Sequence, residues 1–262
     1  MSYRIASAPV AGPARPGKIV HVKPPVKLIF YPGETHFRCT NPEHNGEIVI
    51  LGHIYVVGGV GEVYEACVGP AKRSQDDNGH WRGPTPKNKY RLGPRHHHVT
   101  DSWSTSCIAY GSPIHQVAVE YEYQDEKGNW HVASGPEAKM TKLRLKEKAA
   151  EKARPLSEEE RKEVIRDVRS WFRWKDGTPM DKWWRNDFGE WAWNLPGTVS
   201  FIHTTPPDEV AWHLLGGKDI QLENSHGCIH VHPKDREEMI RKGYLKQGAY
   251  FEVKGYNEKG PP

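Results

Sequence analysis

Between Lys18 and about Gly135 the sequence breaks into short runs rich in Val, Ile and Tyr, with Gly, Pro and Asn between them. Lys18–Val22, Val26–Tyr31, Glu47–Leu51, His53–Val57 and Glu62–Val68 open the series. Tyr90–Leu92, Val99–Ile108, Val117–Tyr123 and Trp130–Ala133 continue it. β-Branched and aromatic residues fit a pleated, half-buried surface. No segment repeats at a fixed period. The expectation is a mostly-β fold, a β-sandwich or a rolled sheet.

The pattern changes near residue 139. Lys139–Arg154 is a charged helix former closed by Pro155. Ser157, with Glu160 three residues on, carries the capping-box signature of a second helix. Along it Val164, Ile165, Val168, Trp171 and Phe172 form one apolar face. Six of the ten tryptophans then crowd between Trp171 and Trp193, to pack the segment onto the sheet or to form a wall that stacks on sugar rings. Strand pattern returns at Thr198–Ile202, Pro206–Leu215 reads as a short helix, and Pro233 opens a last helix ending near Gly243. Ala249–Val253 closes the chain as a strand. The expected organisation is a loose leader over 1–17, a β-rich part over 18–138, a helical Trp-rich insertion over 139–195, and a C-terminal part over 196–262. The whole is α+β.

Composition narrows the function classes. The chain has 262 residues, of which 36% are hydrophobic and 27% charged. It has no run near the roughly 20 apolar residues of a membrane span, so no integral membrane segment is expected. The formal charge of +4 is too mild to imply nucleic acid. Residues 139–176 hold 13 basic and 8 acidic side chains, which gives either a basic face for an anionic surface or a solvated helix laced with opposite charges. The first residues contain no apolar signal core, so the chain stays inside, was trimmed, or leaves by a route that reads no such signal.

The chemistry concentrates late in the chain. Cys39, Cys67, Cys107 and Cys228 include no CxxC pair, and the first three read as buried filler. Cys228 differs because it stands in a polar turn, Ser225-His226-Gly227-Cys228, after a strand that ends in His203 and Thr204. A thiolate can attack a carbonyl, an imidazole can take its proton, and turn N–H groups can meet the oxyanion. His226, Cys228, His230 and His232 also alternate, as zinc ligands on one strand face would. His96, His97 and His98 read as a solvated loop.

SHGC after a strand ending in His resembles the catalytic signature of the L,D-transpeptidases, the YkuD-type cell-wall enzymes. Thr85–Leu92 and Ile108–Ile114 are similar to earlier stretches of that family. The resemblance implies an L,D-transpeptidase-like fold and peptidoglycan tetrapeptide stems as substrate. Cys228 is then the nucleophile and His203 the base, with His203 oriented by the carbonyl or hydroxyl of Thr204. Ser225, His226 and Gly227 shape the turn, with the N–H groups of Gly227 and Cys228 as oxyanion donors. His230, where the family mostly has Asn or Arg, would meet substrate with Tyr110 and Trp212. No metal or organic cofactor is implied. The site of action is the cell envelope.

The His203–Ser225 spacer is longer than the family's, so helix 206–215 is expected beside the site, narrowing it toward water or a free D-amino acid as acceptor. Two other readings stand beside this one. The chain is an antibacterial secreted effector of the same chemistry with an immunity partner, or a non-catalytic wall- or metal-binding module.

Overall fold

The computed structural model describes residues 25–38, 48–75, 81–100, 102–174, 176–186, 188–205, 209, 222 and 225–262. The expected leader, the run Lys18–Val22, Cys39, most of helix 206–215 and Trp212 lie outside them. The fold is mostly β, a curled mixed sheet with three α-helices among the described residues.

Nine strands make the main sheet, apart from a short pair of β4 (Ser74–Gln75) and β5 (Trp81–Arg82). The nine are β1 (Lys27–Arg38), β2 (Ile48–Val57), β3 (Val63–Val68), β6 (Asn88–Arg91), β7 (Arg95–His96), β11 (Ala192–Asn194), β12 (Phe201–His203), β13 (Ile229–Val231) and β14 (Tyr250–Val253). Their spatial order is β6-β14-β1-β2-β3-β13-β12-β11-β7. The pairs β1–β14 and β12–β13 are parallel and the others antiparallel. The described part of the first of two expected runs, 48–51, joins the second, His53–Val57, in one strand, because β2 lies between β1 and β3 and pairs with both.

One face of the sheet wraps the main core. Leu28, Phe30, Ile54, Val56, Tyr64, Trp193, Ile202, Ile229, Val231 and Phe251 meet there with Met239 and Leu245. Met239 belongs to α3 (Pro233–Arg241), which starts where His232 Nδ1 accepts the Lys234 N–H at 3.2 Å and Pro233 fills the first turn.

A second core stands apart from the first. It joins Ile108 and Ile114 to Ala133, Met140, Val164, Val168, Trp171, Phe172 and Trp183. Its elements are the sheet of β8 (Ile114–Val117), β9 (Glu120–Gln124) and β10 (Trp130–Val132), with helices α1 (Ser134–Glu151) and α2 (Glu158–Ser170). The capping box forms as read: the Glu160 N–H donates to Ser157 Oγ, and Glu160 accepts from the Ser157 N–H. The charged run is laced, not bare. Arg144 pairs with Glu147 and Glu151, Arg154 with Glu160, and Arg169 with Glu137.

Several boundaries differ from the sequence reading. The helical part starts at Ser134, and Ala192–Asn194 belongs to the main sheet, held between β7 and β12. Val117–Tyr123 is a hairpin turning at Ala118, whose φ is +55°. Val99–Ile108 is no strand, since Ser104–Cys107 coil into a 3₁₀ turn. Trp183 Nε1 donates to Thr105 O at 3.1 Å, and Asn186 Nδ2 donates to the carbonyls of His98 and Ile108. No helix among the described residues is long and apolar enough to cross a membrane.

Candidate active site

Parallel pairing sets the site. Ile202 opposes Ile229 and His203 opposes His230. Successive side chains alternate across a strand, so Ile202 and Ile229 face the core while His203 and His230 share the other face. Cys228 precedes β13 by one residue and falls on that same face by the alternation. The His203 and His230 rings lie 4.6 Å apart between centroids, nearly edge to face.

His203 is 2% exposed. Its Nδ1 lies 2.7 Å from the Thr204 carbonyl oxygen, which only accepts, so Nδ1 carries the proton and Nε2 is the basic nitrogen. Of the two orienting groups expected on Thr204, the carbonyl is the one used. Phe188 covers the ring at 4.1 Å. Burial pulls the His203 pKa well below 6.5, and neighbouring His230 adds to this. Burial likewise pushes the Cys228 thiol up to about 11, against a lowering hydrogen bond with the Phe201 backbone. Both shifts favour the neutral forms, so at pH 7 the pair rests as thiol and imidazole.

The turn before Cys228 is tightly stitched. Ser225 Oγ donates to the Cys228 carbonyl at 2.7 Å and accepts the Gly227 N–H at 3.1 Å. That second bond corrects the expectation of two oxyanion donors: the Gly227 N–H is committed, leaving the Cys228 N–H. Gly227 sits at φ +142°, a conformation L side chains rarely adopt. Residues 83–85 buttress the turn. The Gly83 N–H donates to His226 O at 3.1 Å, and Thr85 Oγ1 donates to Gly227 O at 3.0 Å. The stretch beginning at Thr85 thus packs directly on SHGC.

The other expected site residues scatter. His226 is exposed, His230 is buried against His203, and His232 caps α3, so the alternating run is spent on three separate tasks. Among the described residues no three His, Cys, Asp or Glu side chains gather as a metal would need. Tyr110 lines a cavity of about 430 Å³ with Ser112, Lys182, Trp184 and Glu190. Cys228 is not among the residues lining that cavity. The Tyr110 hydroxyl is buried, and burial with the nearby Glu209 charge raises its pKa. Trp212 lies outside the described residues.

The triple histidine is not a solvated loop. His97 stacks on Trp191 at 3.9 Å and His98 on Phe188 at 3.8 Å, because aromatic surface is available on both sides. Burial lowers the His98 pKa to about 4. Of the six tryptophans from Trp171 to Trp193, Trp171, Trp183 and Trp193 are buried and the other three are partly exposed. Cys67 is buried in the sheet, and Cys107 is half-buried beside the second core.

Sequence reasoning missed Gly189, Glu190, Glu209 and Arg236. Arg236 offered a signal: on α3 it stands three residues before Met239, on the stripe that faces the core. No family model, curated protein or solved structure matches the chain.

Proposed function

We propose that the chain is a peptidoglycan-modifying cysteine acyltransferase of the L,D-transpeptidase kind, acting in the cell envelope on tetrapeptide stems. What carries the reading is one arrangement: a cysteine turn whose thiol shares a sheet face with a tautomer-fixed histidine on the parallel neighbouring strand. The SHGC sequence adds the resemblance.

In this reading Cys228 Sγ attacks the carbonyl carbon of the third stem residue while His203 Nε2 takes the thiol proton. The pair starts neutral, so His203 works as a general base at the moment of attack, not as half of a standing ion pair. The oxyanion meets the Cys228 N–H, a contact worth about 3 kcal/mol in the transition state when well aimed. As the C–N bond breaks, the imidazolium returns its proton to the departing D-Ala amine, and a thioester remains. An amine then attacks the thioester to give a cross-link or D-amino-acid exchange, or water attacks to give L,D-carboxypeptidase action. His203 again takes the attacking group's proton and returns it to the thiolate.

The test is incubation of purified protein with tetrapeptide muropeptides, read by mass spectrometry. Wild type should release D-Ala and pass through an acyl-enzyme on Cys228. Cys228→Ala should abolish both while keeping its circular dichroism. Retained D-Ala release by Cys228→Ala overturns the assignment.

A further inference from the structure

The Thr204 carbonyl that holds His203 Nδ1 also accepts the Gly189 N–H at 2.7 Å. Its position depends on how Thr204 itself is held. Arg236 Nη1 donates to the Thr204 hydroxyl at 3.0 Å, and that hydroxyl donates to Glu209 Oε1. Arg236 donates to the same carboxylate oxygen, and the Glu190 N–H donates to it at 3.1 Å. The other Arg236 nitrogen, Nη2, donates to Glu237 at 2.7 Å and Glu190 at 3.3 Å. Thr204, Glu209 and Arg236 are 0%, 0% and 1% exposed.

A buried ion pair is weak evidence for stability, because desolvating two charges costs about as much as their attraction returns. A bonded network does fix where its members point. This one grips the residue next to the base, on the hydroxyl's donor and acceptor sides.

We propose that Glu209 and Arg236 are positioning residues for His203: by clamping the Thr204 hydroxyl they fix the Thr204 carbonyl, and through it the tautomer and direction of the imidazole. The proposal rests on His203 and Cys228 being the reactive pair. Neither residue touches substrate; both act through Thr204.

The test follows iodoacetamide alkylation of Cys228 in the full chain from pH 5 to 10, read by mass spectrometry, beside thermal unfolding. His203→Ala is the reference profile for a thiol without its base. Thr204→Val keeps the shape and loses the hydroxyl; Thr204→Ser keeps the hydroxyl. Thr204→Val and Glu209→Gln should slow alkylation at pH 7 by about tenfold and move the pH profile toward that of His203→Ala, since misplacing a catalytic group slightly carries penalties of this size. Thr204→Ser should stay near wild type, and Arg236→Lys, which loses the forked contacts of the guanidinium, should fall with Glu209→Gln.

A wild-type profile in both Thr204→Val and Glu209→Gln, with only the unfolding temperature lowered, makes the cluster structural and overturns the proposal. If Glu209→Gln fails to fold, Thr204→Val against Thr204→Ser decides. If His203→Ala alone matches wild type, the base assignment fails and the proposal with it. If His203→Ala shifts the profile but Thr204→Val does not, only the proposal fails.

Discussion

Two buried regions of this chain, the second core and the polar cluster near His203, are built on opposite principles. The second core is apolar throughout its interior, with Met140, Val164, Val168, Phe172 and Trp183 packed together and the charges of α1 and α2 paired outside. Around His203 and the Cys228 turn, polar residues are buried: Thr204, Glu209, Arg236, Ser225 and Thr85 are each less than a tenth exposed. Apolar burial is non-directional and tolerates small shifts, whereas a polar cluster works only when every partner is in place. The first region is suited to holding the chain together, the second to holding a few atoms still. Substitutions should therefore cost stability in one and geometry in the other.

The sharpest stability loss is expected at Trp183. It is fully buried, packs against Phe172 at 5.2 Å and donates its indole N–H to Thr105. Trp183→Ala should cost about 3–5 kcal/mol in chemical denaturation. Cys228 alkylation measured under conditions where the variant remains folded should match wild type. A changed alkylation profile before unfolding would break the separation between the two regions.

Next comes one substitution made in both regions. A Cβ on Gly189 would run into the Thr204 hydroxyl and the Glu209 carboxylate, two groups the network cannot move independently. A Cβ on Gly135, in α1, meets nothing within 4 Å. Gly189→Ala should cost about 1–3 kcal/mol by overpacking and also slow alkylation of Cys228. Gly135→Ala should be neutral or stabilise by about 0.5 kcal/mol. Equal effects at the two glycines would contradict the contrast.

The same contrast explains what was legible in the sequence. The second helix could be read because its signals are local: Ser157 and Glu160 are three residues apart, and Val164, Val168 and Phe172 repeat at the helical period. Cys228 and His203 could be singled out because turn chemistry and a strand end mark them. Their shared sheet face depends on the β12–β13 register, which joins residues 27 positions apart and has no local trace. The clamp on Thr204 was harder still. It assembles Glu190, Glu209 and Arg236 from three segments; the two glutamates read alone as ordinary surface charges, and only Arg236 carries a signal, its place on the core-facing stripe of α3. The Ser104–Cys107 turn was misread for a related reason, since its determinants, Trp183 and Asn186, lie about 80 residues away.

The smallest expected effect is at Ser157, and it tests how independent the apolar core is of the polar cluster. The Ser157 hydroxyl accepts the Glu160 N–H at 3.3 Å, one of the unpaired donors at the start of α2. Ser157→Ala removes that acceptor. It leaves the reciprocal bond from the Ser157 N–H to Glu160 at 2.7 Å, as well as the Arg154 and Lys152 pairs on the same carboxylate. With half the box retained, the loss should be about 1 kcal/mol, or roughly 2–4 °C in Tm for a chain of this size. Helix α2 buries Val164 and Val168 in the second core and contributes no side chain to the Thr204 cluster. Fraying its first turn should therefore leave Cys228 alkylation at the wild-type rate across the pH range. A slower rate in Ser157→Ala would mean that the packing of α2 bears on His203, and the two regions would have to be treated as one.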